Sequence, residues 1–124
     1  MDNKALGRHG EELAVVYLEE KGLHILEKNF RNKIGEIDLI AQDGSTLCFV
    51  EVKTRRSFAF GKPFESVHYH KQQKIIKVAI CYLKYKKGTL SVKCRFDVIS
   101  IYKDPDGKAQ IHHIKNAFGL PSYR

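Results

Sequence analysis

The sequence predicts an α/β domain, with a mixed central sheet covered by a helix on each face. Three observations carry that expectation. Two stretches, near residues 5–21 and 70–86, repeat apolar residues every three to four positions, as a helix with one buried face does. The rest of the chain is rich in short alternating or β-branched runs, the mark of strands. Between two of those runs sits Asp43-Gly44, a strong hairpin signal because the central positions of a tight type I′ turn need φ > 0. The elements then follow the order helix, three strands, helix, strand, strand. The order of strands within the sheet is not legible.

The first helix runs from about Ala5 to Lys21. Leu6, Gly10, Leu13, Ala14, Tyr17 and Leu18 share a face, and Gly22 is a natural stop. At about 100° per residue, Glu11 lies only about 20° from Leu18, at the edge of the apolar face. Glu12 and Glu19 project to solvent. Gly7 and Gly10 would let the helix approach the sheet closely and aim the Glu11 carboxylate toward it. The plain alternative is a boundary glutamate paired with Arg8 or Lys53.

His24 to Phe30 reads as the first strand, antiparallel to the one that begins at Glu36. Arg31-Asn32-Lys33 is the basic connection between them. Arg31 and Lys33 suit phosphate contact, which positions a nucleic acid without reading its sequence. A solvated turn is the competing reading.

Glu36 to Ile40 alternates charged and apolar residues. Leu47 to Lys53 is apolar until Glu51 and Lys53 interrupt it. With Asp43-Gly44 as a two-residue loop, Gln42 stands opposite Ser45, Asp38 opposite Phe49 and Glu36 opposite Glu51. Directly opposed residues share a face. Asp38, Glu51 and Lys53 then lie on one side, with Asp38 and Glu51 diagonal neighbours roughly 7–8 Å apart at Cα.

Two carboxylates on a mostly apolar strand pair are costly, because burial and like charge both disfavour ionisation. A divalent cation between Asp38 and Glu51 offsets both costs. Hard oxygen ligands suit Mg²⁺, with Mn²⁺ as its substitute. Val52 is placed to lend a backbone carbonyl. Lys53 is placed to hold a water or the charge that develops on a phosphate. These are the parts of metal-assisted phosphodiester hydrolysis.

Beyond Lys53 the period is lost. Arg55 and Arg56 precede Phe58, Phe60, Gly61 and Pro63 in what reads as a loop beside the acids. The arginines suit phosphate; the phenylalanines suit either base stacking or anchoring to the core. In the second helix, from about His70 to Lys86, Ile75, Val78, Ala79, Tyr82 and Leu83 form the buried stripe. Lys74, Lys77 and Lys84 fall within an arc of about 80° on the opposite side. No acid occurs from Lys71 to Lys93, so this face is a solvated rim or a nucleic-acid surface. Lys71 points instead toward the apolar edge. Gly88 ends the helix. Leu90 to Lys103 reads as a long strand carrying Asp97, which is a further acid or the partner of Arg95. Asp104 to Gly107 is a turn, and Gln110 to Lys115 a short last strand. Residues 1–118 form one domain, and 119–124 should be a loose tail.

Several motifs now stand together: Gly7-x-x-Gly10-Glu11, Asn29-Phe30-Arg31, Gly35-Glu36-Ile37-Asp38-Leu39-Ile40-Ala41, Phe49-Val50-Glu51-Val52-Lys53-Thr54-Arg55, Phe60-Gly61-x-Pro63 and Arg95-Phe96-Asp97-Val98-Ile99. Asp38 followed by Glu51-Val52-Lys53 resembles the core of the PD-(D/E)XK nuclease superfamily, with Ile37 in place of a frequent proline. The wider pattern is similar to the YraN-like bacterial family, uncharacterised proteins related to archaeal Holliday-junction resolvases, and covers nearly the whole chain. The resemblance implies a restriction-endonuclease-like α/β/α sandwich and a nucleic-acid role. It matches Glu11 to the family's glutamate, a third candidate acid for the metal, and Lys71 to a family lysine that would line the cleft. Those relatives act as dimers on two strands, so by analogy a homodimer is open to this chain.

Composition agrees with a nucleic-acid partner. The formal charge of +8 favours a polyanion or an acidic membrane surface. No apolar run is long enough to span a bilayer and no leader pattern is seen, so a cytoplasmic protein with no membrane partner is expected. Cys48, Cys81 and Cys94 read as reduced core thiols, and the histidines lack metal-ligand spacing. The expectation is a Mg²⁺- or Mn²⁺-dependent endonuclease, with DNA ahead of RNA as substrate. The alternative is a non-catalytic nucleic-acid-binding module of a processing complex.

Overall fold

A computed structural model describes residues 2–56 and 67–119. Helix α1 spans Asn3–Glu20. Strands β1 (His24–Arg31), β2 (Glu36–Asp43) and β3 (Thr46–Thr54) follow. Helix α2 covers Tyr69–Tyr82 and continues as a π turn, Leu83–Lys87. Strands β4 (Cys94–Lys103) and β5 (Ala109–Phe118) complete the chain. The five strands lie in the order β1-β2-β3-β4-β5. All neighbours are antiparallel except β3 and β4, which run parallel. A parallel pair needs a long crossover, and α2 lies within it. The result is the mixed sheet of a restriction-endonuclease-like α/β fold.

Each face of the sheet has its own core. On one side Ile75, Val78, Ala79 and Tyr82 of α2 pack on Ile37, Ile40, Leu47, Phe49 and Val98. On the other, Ala14 and Leu18 of α1 pack on Leu39, Ala41, Cys48, Val50 and Ile99. The odd-numbered residues of β3 therefore face α2, and the even-numbered ones face α1.

The ends of α1 explain its limits. Asp2 is the N-cap, its Oδ1 accepting from Ala5 N at 2.8 Å. This starts the helix two residues before the periodic pattern does. At the other end Gly22 takes φ +91. Its N–H bonds Glu19 O, and Leu23 N–H bonds Leu18 O, each at 3.0 Å, which is a Schellman stop. Gly10, not Gly7, is the close-approach residue. A Cβ on Gly10 would lie 2.0 Å from Thr54 Oγ1 and 3.0 Å from Thr54 Cβ, whereas one on Gly7 would meet nothing within 4 Å. Gly10→Ala is expected to destabilise the protein by about 2 kcal/mol, since overpacking forces backbone to move. The double variant Gly10→Ala/Thr54→Ala should recover much of that loss in a thermal melt.

Four expectations are corrected. The β2–β3 register is displaced by two residues: Gln42 stands opposite Leu47 and Asp43 opposite Thr46, not Gln42 opposite Ser45. The turn is Gly44-Ser45, with positive φ at Gly44 (+58) and not at Ser45, the order of a type II′ turn. Asp43 stays in the ladder because its carboxylate accepts from Arg95 Nη1 at 3.0 Å. Strand β4 begins at Cys94 and not Leu90, since the chain leaves the π turn through Gly88 in the left-handed region (φ +70). Strand β5 is longer than Gln110 to Lys115. Among the thiols, Cys48 is buried but Cys94 is exposed, so Cys94 is no core residue. Phe58, Phe60 and residues 120–124 of the tail lie outside the described residues.

Candidate functional site

Strand β2 begins and β3 ends at the same end of the sheet, and Asp38 sits just beyond the last pair of the β2–β3 ladder. The pairing of β2 with β3 ends at Leu39↔Val50. On the β1 side the register passes from Lys28↔Leu39 to Phe30↔Ile37. The residue level with Asp38 is Asn29, which takes φ +52, a conformation asparagine tolerates better than most side chains. The usual alternation fails here too: Ile37 and Ile40 join the α2-side core, Leu39 and Ala41 the α1-side core.

This interruption places carboxyls together. Continuing the observed register brings Asp38 level with Glu51 and not with Phe49. Asp38 Oδ2 accepts the N–H of Val52 at 2.8 Å, and the Glu51 carboxyl lies within hydrogen-bonding reach of it. Burial first, then hydrogen bonding with Glu51 and the Glu51 charge, push Asp38 up from 3.8 to about 8, against the lowering effect of Val52 N–H. Glu51 is 3% exposed. Its Oε2 has no aligned hydrogen-bond donor among the described residues; what faces it is the Lys71 Nζ, in ionic contact.

Glu11 approaches from α1 and is partly buried. With the Asn29 amide oriented so that Nδ2 donates, it bridges Glu36 Oε1 at 2.8 Å and Glu11 Oε1 at 3.1 Å. Burial, and then the charges of Glu36 and Glu51, push Glu11 up, while the Asn29 hydrogen bond works against them. The observed partner of Glu11 is thus Asn29, not Arg8 or Lys53. Glu11 also lines a cavity of about 420 Å³ with Gly7, Val52, Thr54, Arg55 and Arg56. One opening therefore joins a candidate acid, Val52 and two of the candidate phosphate-binding arginines.

The other sequence-derived candidates are placed as follows. Lys53 is partly buried on the α2-facing side of β3, paired in the ladder with Ser100. Lys71, expected among phosphate contacts, stands on Glu51. Burial opposes its charge, but the hydrogen bond and charge of Glu51, and the charges of Asp38 and Glu36, hold its pKa above the ordinary lysine value. Arg31 Nη2 donates to Glu36 Oε2 at 3.1 Å. Lys33, Lys74 and Lys77 are exposed, and the Lys74 stem lies beside Gly35 at the β1–β2 turn. Arg55 and Arg56 are exposed at the end of β3, Arg56 Nη2 donating to Asn3 Oδ1 at 3.0 Å.

Asp97 belongs elsewhere. It is fully buried, and its carboxylate accepts from Arg95 Nε at 3.0 and 3.1 Å, His113 Nε2 at 2.9 Å and Asn116 N at 3.0 Å. With the His113 proton on Nε2, Nδ1 accepts from Tyr17 OH at 3.3 Å. These donors hold Asp97 below the ordinary carboxylate range despite the opposing effect of burial. This network joins the β2–β3 turn, β4, β5 and α1.

Sequence reasoning passed over Asn29 and Glu36. Period-2 spacing puts Glu36 on the same face as Asp38, a usable signal. Asn29 acts through an irregular backbone that no pattern announces.

Among the described residues, no group of three or more His, Cys, Asp or Glu side chains stands at metal-ligand spacing. The donor chemistry nonetheless fits a hard dication. Two carboxyls stand side by side, and burial, then like charge, raises Asp38 and Glu11. Mg²⁺ is commonly held by only one or two carboxylates, with waters filling its shell.

The pattern of Uncharacterised protein family UPF0102 matches residues 10–101, a span that holds Glu11, Asp38, Glu51, Lys53 and Lys71. The chain is similar to a UPF0102 protein of Geotalea uraniireducens, 50% identical over 119 residues, covering 96% of this chain and 93% of the relative. It is also similar to one of Geotalea daltonii, 53% identical over 121 residues with the same coverage. A third, from Caldanaerobacter subterraneus, is 48% identical over 120 residues, covering 95% of this chain and 98% of the relative. The chain belongs to Uncharacterised protein family UPF0102, the YraN family.

Proposed function

We propose that this protein is a divalent-metal-dependent endonuclease that hydrolyses DNA phosphodiesters, with branched DNA as a candidate substrate. The observation that carries the reading is the Asp38–Glu51 carboxyl pair. It is an arrangement that costs the fold stability unless a cation uses it. Asp38 and Glu51 would hold Mg²⁺ or Mn²⁺, with Glu11 and the Val52 carbonyl as further ligands. When bound, the cation supplies polarisation of the phosphodiester and a more acidic water.

The remaining roles fall to the chain itself. Lys53 Nζ holds the attacking water or the negative charge that grows on the phosphate. In hydrolysis the water oxygen bonds to phosphorus, the bond to the leaving oxygen breaks, and that oxygen takes up a proton. Arg55 and Arg56 border the cavity that Glu11 lines, and bind backbone phosphate there. Arg31, Lys33, Lys74 and Lys77 extend the basic surface.

The test is to incubate purified protein with branched, single-stranded and duplex DNA in Mg²⁺ or Mn²⁺. Cleavage is expected, and Glu51→Gln should abolish it while the protein remains folded. Cleavage undiminished in Glu51→Gln would overturn these roles. One observation favours a second reading: Lys71 already neutralises Glu51, so the cluster is balanced without metal. A non-catalytic nucleic-acid-binding module would bind in a steeply salt-dependent way and cleave nothing in any metal.

A further inference from the structure

Glu51 has a resident counter-ion. Lys71 reaches it from the first turn of α2, and the two side chains differ sharply in freedom. That of Glu51 is 3% exposed and that of Lys71 is 50% exposed. One is fixed in the protein; the other has solvent to move into. Other lysines of α2, Lys74 and Lys77, are exposed, and neither has the contact that Lys71 makes.

An ammonium and a dication need the same carboxylate oxygen. A cation bound at Asp38 and Glu51 removes the attraction that holds Lys71 and adds a like charge beside it. We infer that Lys71 is a place-holder. It neutralises the carboxyl pair in the metal-free protein, is displaced from Glu51 when the divalent cation binds, and is thereby released to a phosphate oxygen of the nucleic acid. The step is an exchange of ionic partners, with no bond formed or broken. Because linkage is reciprocal, phosphate that captures Lys71 favours metal, and metal favours phosphate. Filling of the metal site and grip on the substrate become one event. This rests on the metal-site reading above.

The test uses the full chain in four forms: wild type, Lys71→Met, Lys71→Arg, and Lys87→Met as a control for net charge. Each is melted in EDTA and then titrated calorimetrically with Mn²⁺. In EDTA, Lys71→Met should melt a few degrees below wild type, since the pair has lost its counter-ion, while Lys71→Arg and Lys87→Met stay close to wild type. With Mn²⁺ the order changes: Lys71→Met should bind roughly tenfold more tightly than wild type, equivalent to about 1.4 kcal/mol, and its melting deficit should close. Lys71→Gln, read the same way, guards against an effect peculiar to methionine. Mn²⁺ affinity in Lys71→Met equal to or weaker than wild type would overturn the place-holder role while leaving the metal site standing. A wild-type protein that does not respond to Mn²⁺ in either measurement would overturn the metal site itself, and this inference with it.

Discussion

Asp38→Asn is expected to make the metal-free protein more stable at pH 8, by about 2 kcal/mol, and to remove any metal-dependent cleavage. The stability gain follows from the displaced ionisation of the native residue. Its folded-state pKa is raised from 3.8 to about 8. Between those values the folded protein keeps a proton that the unfolded chain has released, so the contribution of this group to stability falls as pH rises from about 4 to about 8. Below that window the acid is protonated in both states and the variant should gain nothing. The full shift would correspond to more than 2 kcal/mol; the smaller figure allows for relaxation and water entry around the buried carboxylate. Asn keeps an oxygen for Val52 N–H, so the local geometry survives. Denaturant melts of both proteins from pH 4 to 8 in EDTA should therefore show curves that separate as pH rises. Equal stability throughout would mean that the carboxyl pair is not strained. Activity should move oppositely, falling by about a thousandfold or more, the scale on which preorganised charge stabilisation acts.

Asp97→Asn is the converse case, with an expected loss of about 3 kcal/mol, the usual cost of breaking a buried charged network. Asp97 satisfies Arg95, His113 and the Asn116 N–H at once. An amide cannot accept from all of them, and its NH₂ confronts donors. Its pKa is lowered in the folded state, so the stability it provides is present above the unfolded value and lost as pH falls through the folded one. Wild type and variant should accordingly converge in acid. Chemical melts at pH 7 and in mild acid check both points. A variant as stable as wild type at pH 7 would show that the network is not a structural anchor.

The two aspartates look alike in sequence, each on an alternating strand, and the reasons one was placed and the other left open are instructive. Asp38, Glu51 and Lys53 were assigned to a shared face from a register that proved wrong by two residues. A slip of two keeps each residue's face, so Glu51 and Lys53 stay together on the α2 side of β3, but Asp38 meets Glu51 where the alternation of β2 breaks between Ile37 and Leu39. Asp97 had Arg95 two residues away, which pointed to a structural pair, but His113 and Tyr17 join it only through the tertiary fold. The two helices were legible from periodicity, and Gly22 and Gly88 marked where each gives way. The contact of Lys71 with Glu51 was not legible. It depends on how α2 crosses back over the sheet, and spacing along the chain carries no information about that crossing. Asn29 was invisible for a different reason: its role comes from a left-handed backbone, which asparagine permits but does not require.

Val52 donates its amide to a side chain at the point where β2 and β3 cease to pair in register. The two strands are fastened there by an ionisable group in place of a peptide carbonyl. Whatever draws the Asp38 carboxyl away loosens that amide, and its exchange with deuterated solvent then rises. Events at the acid are thus written into the main chain at a single, addressable proton.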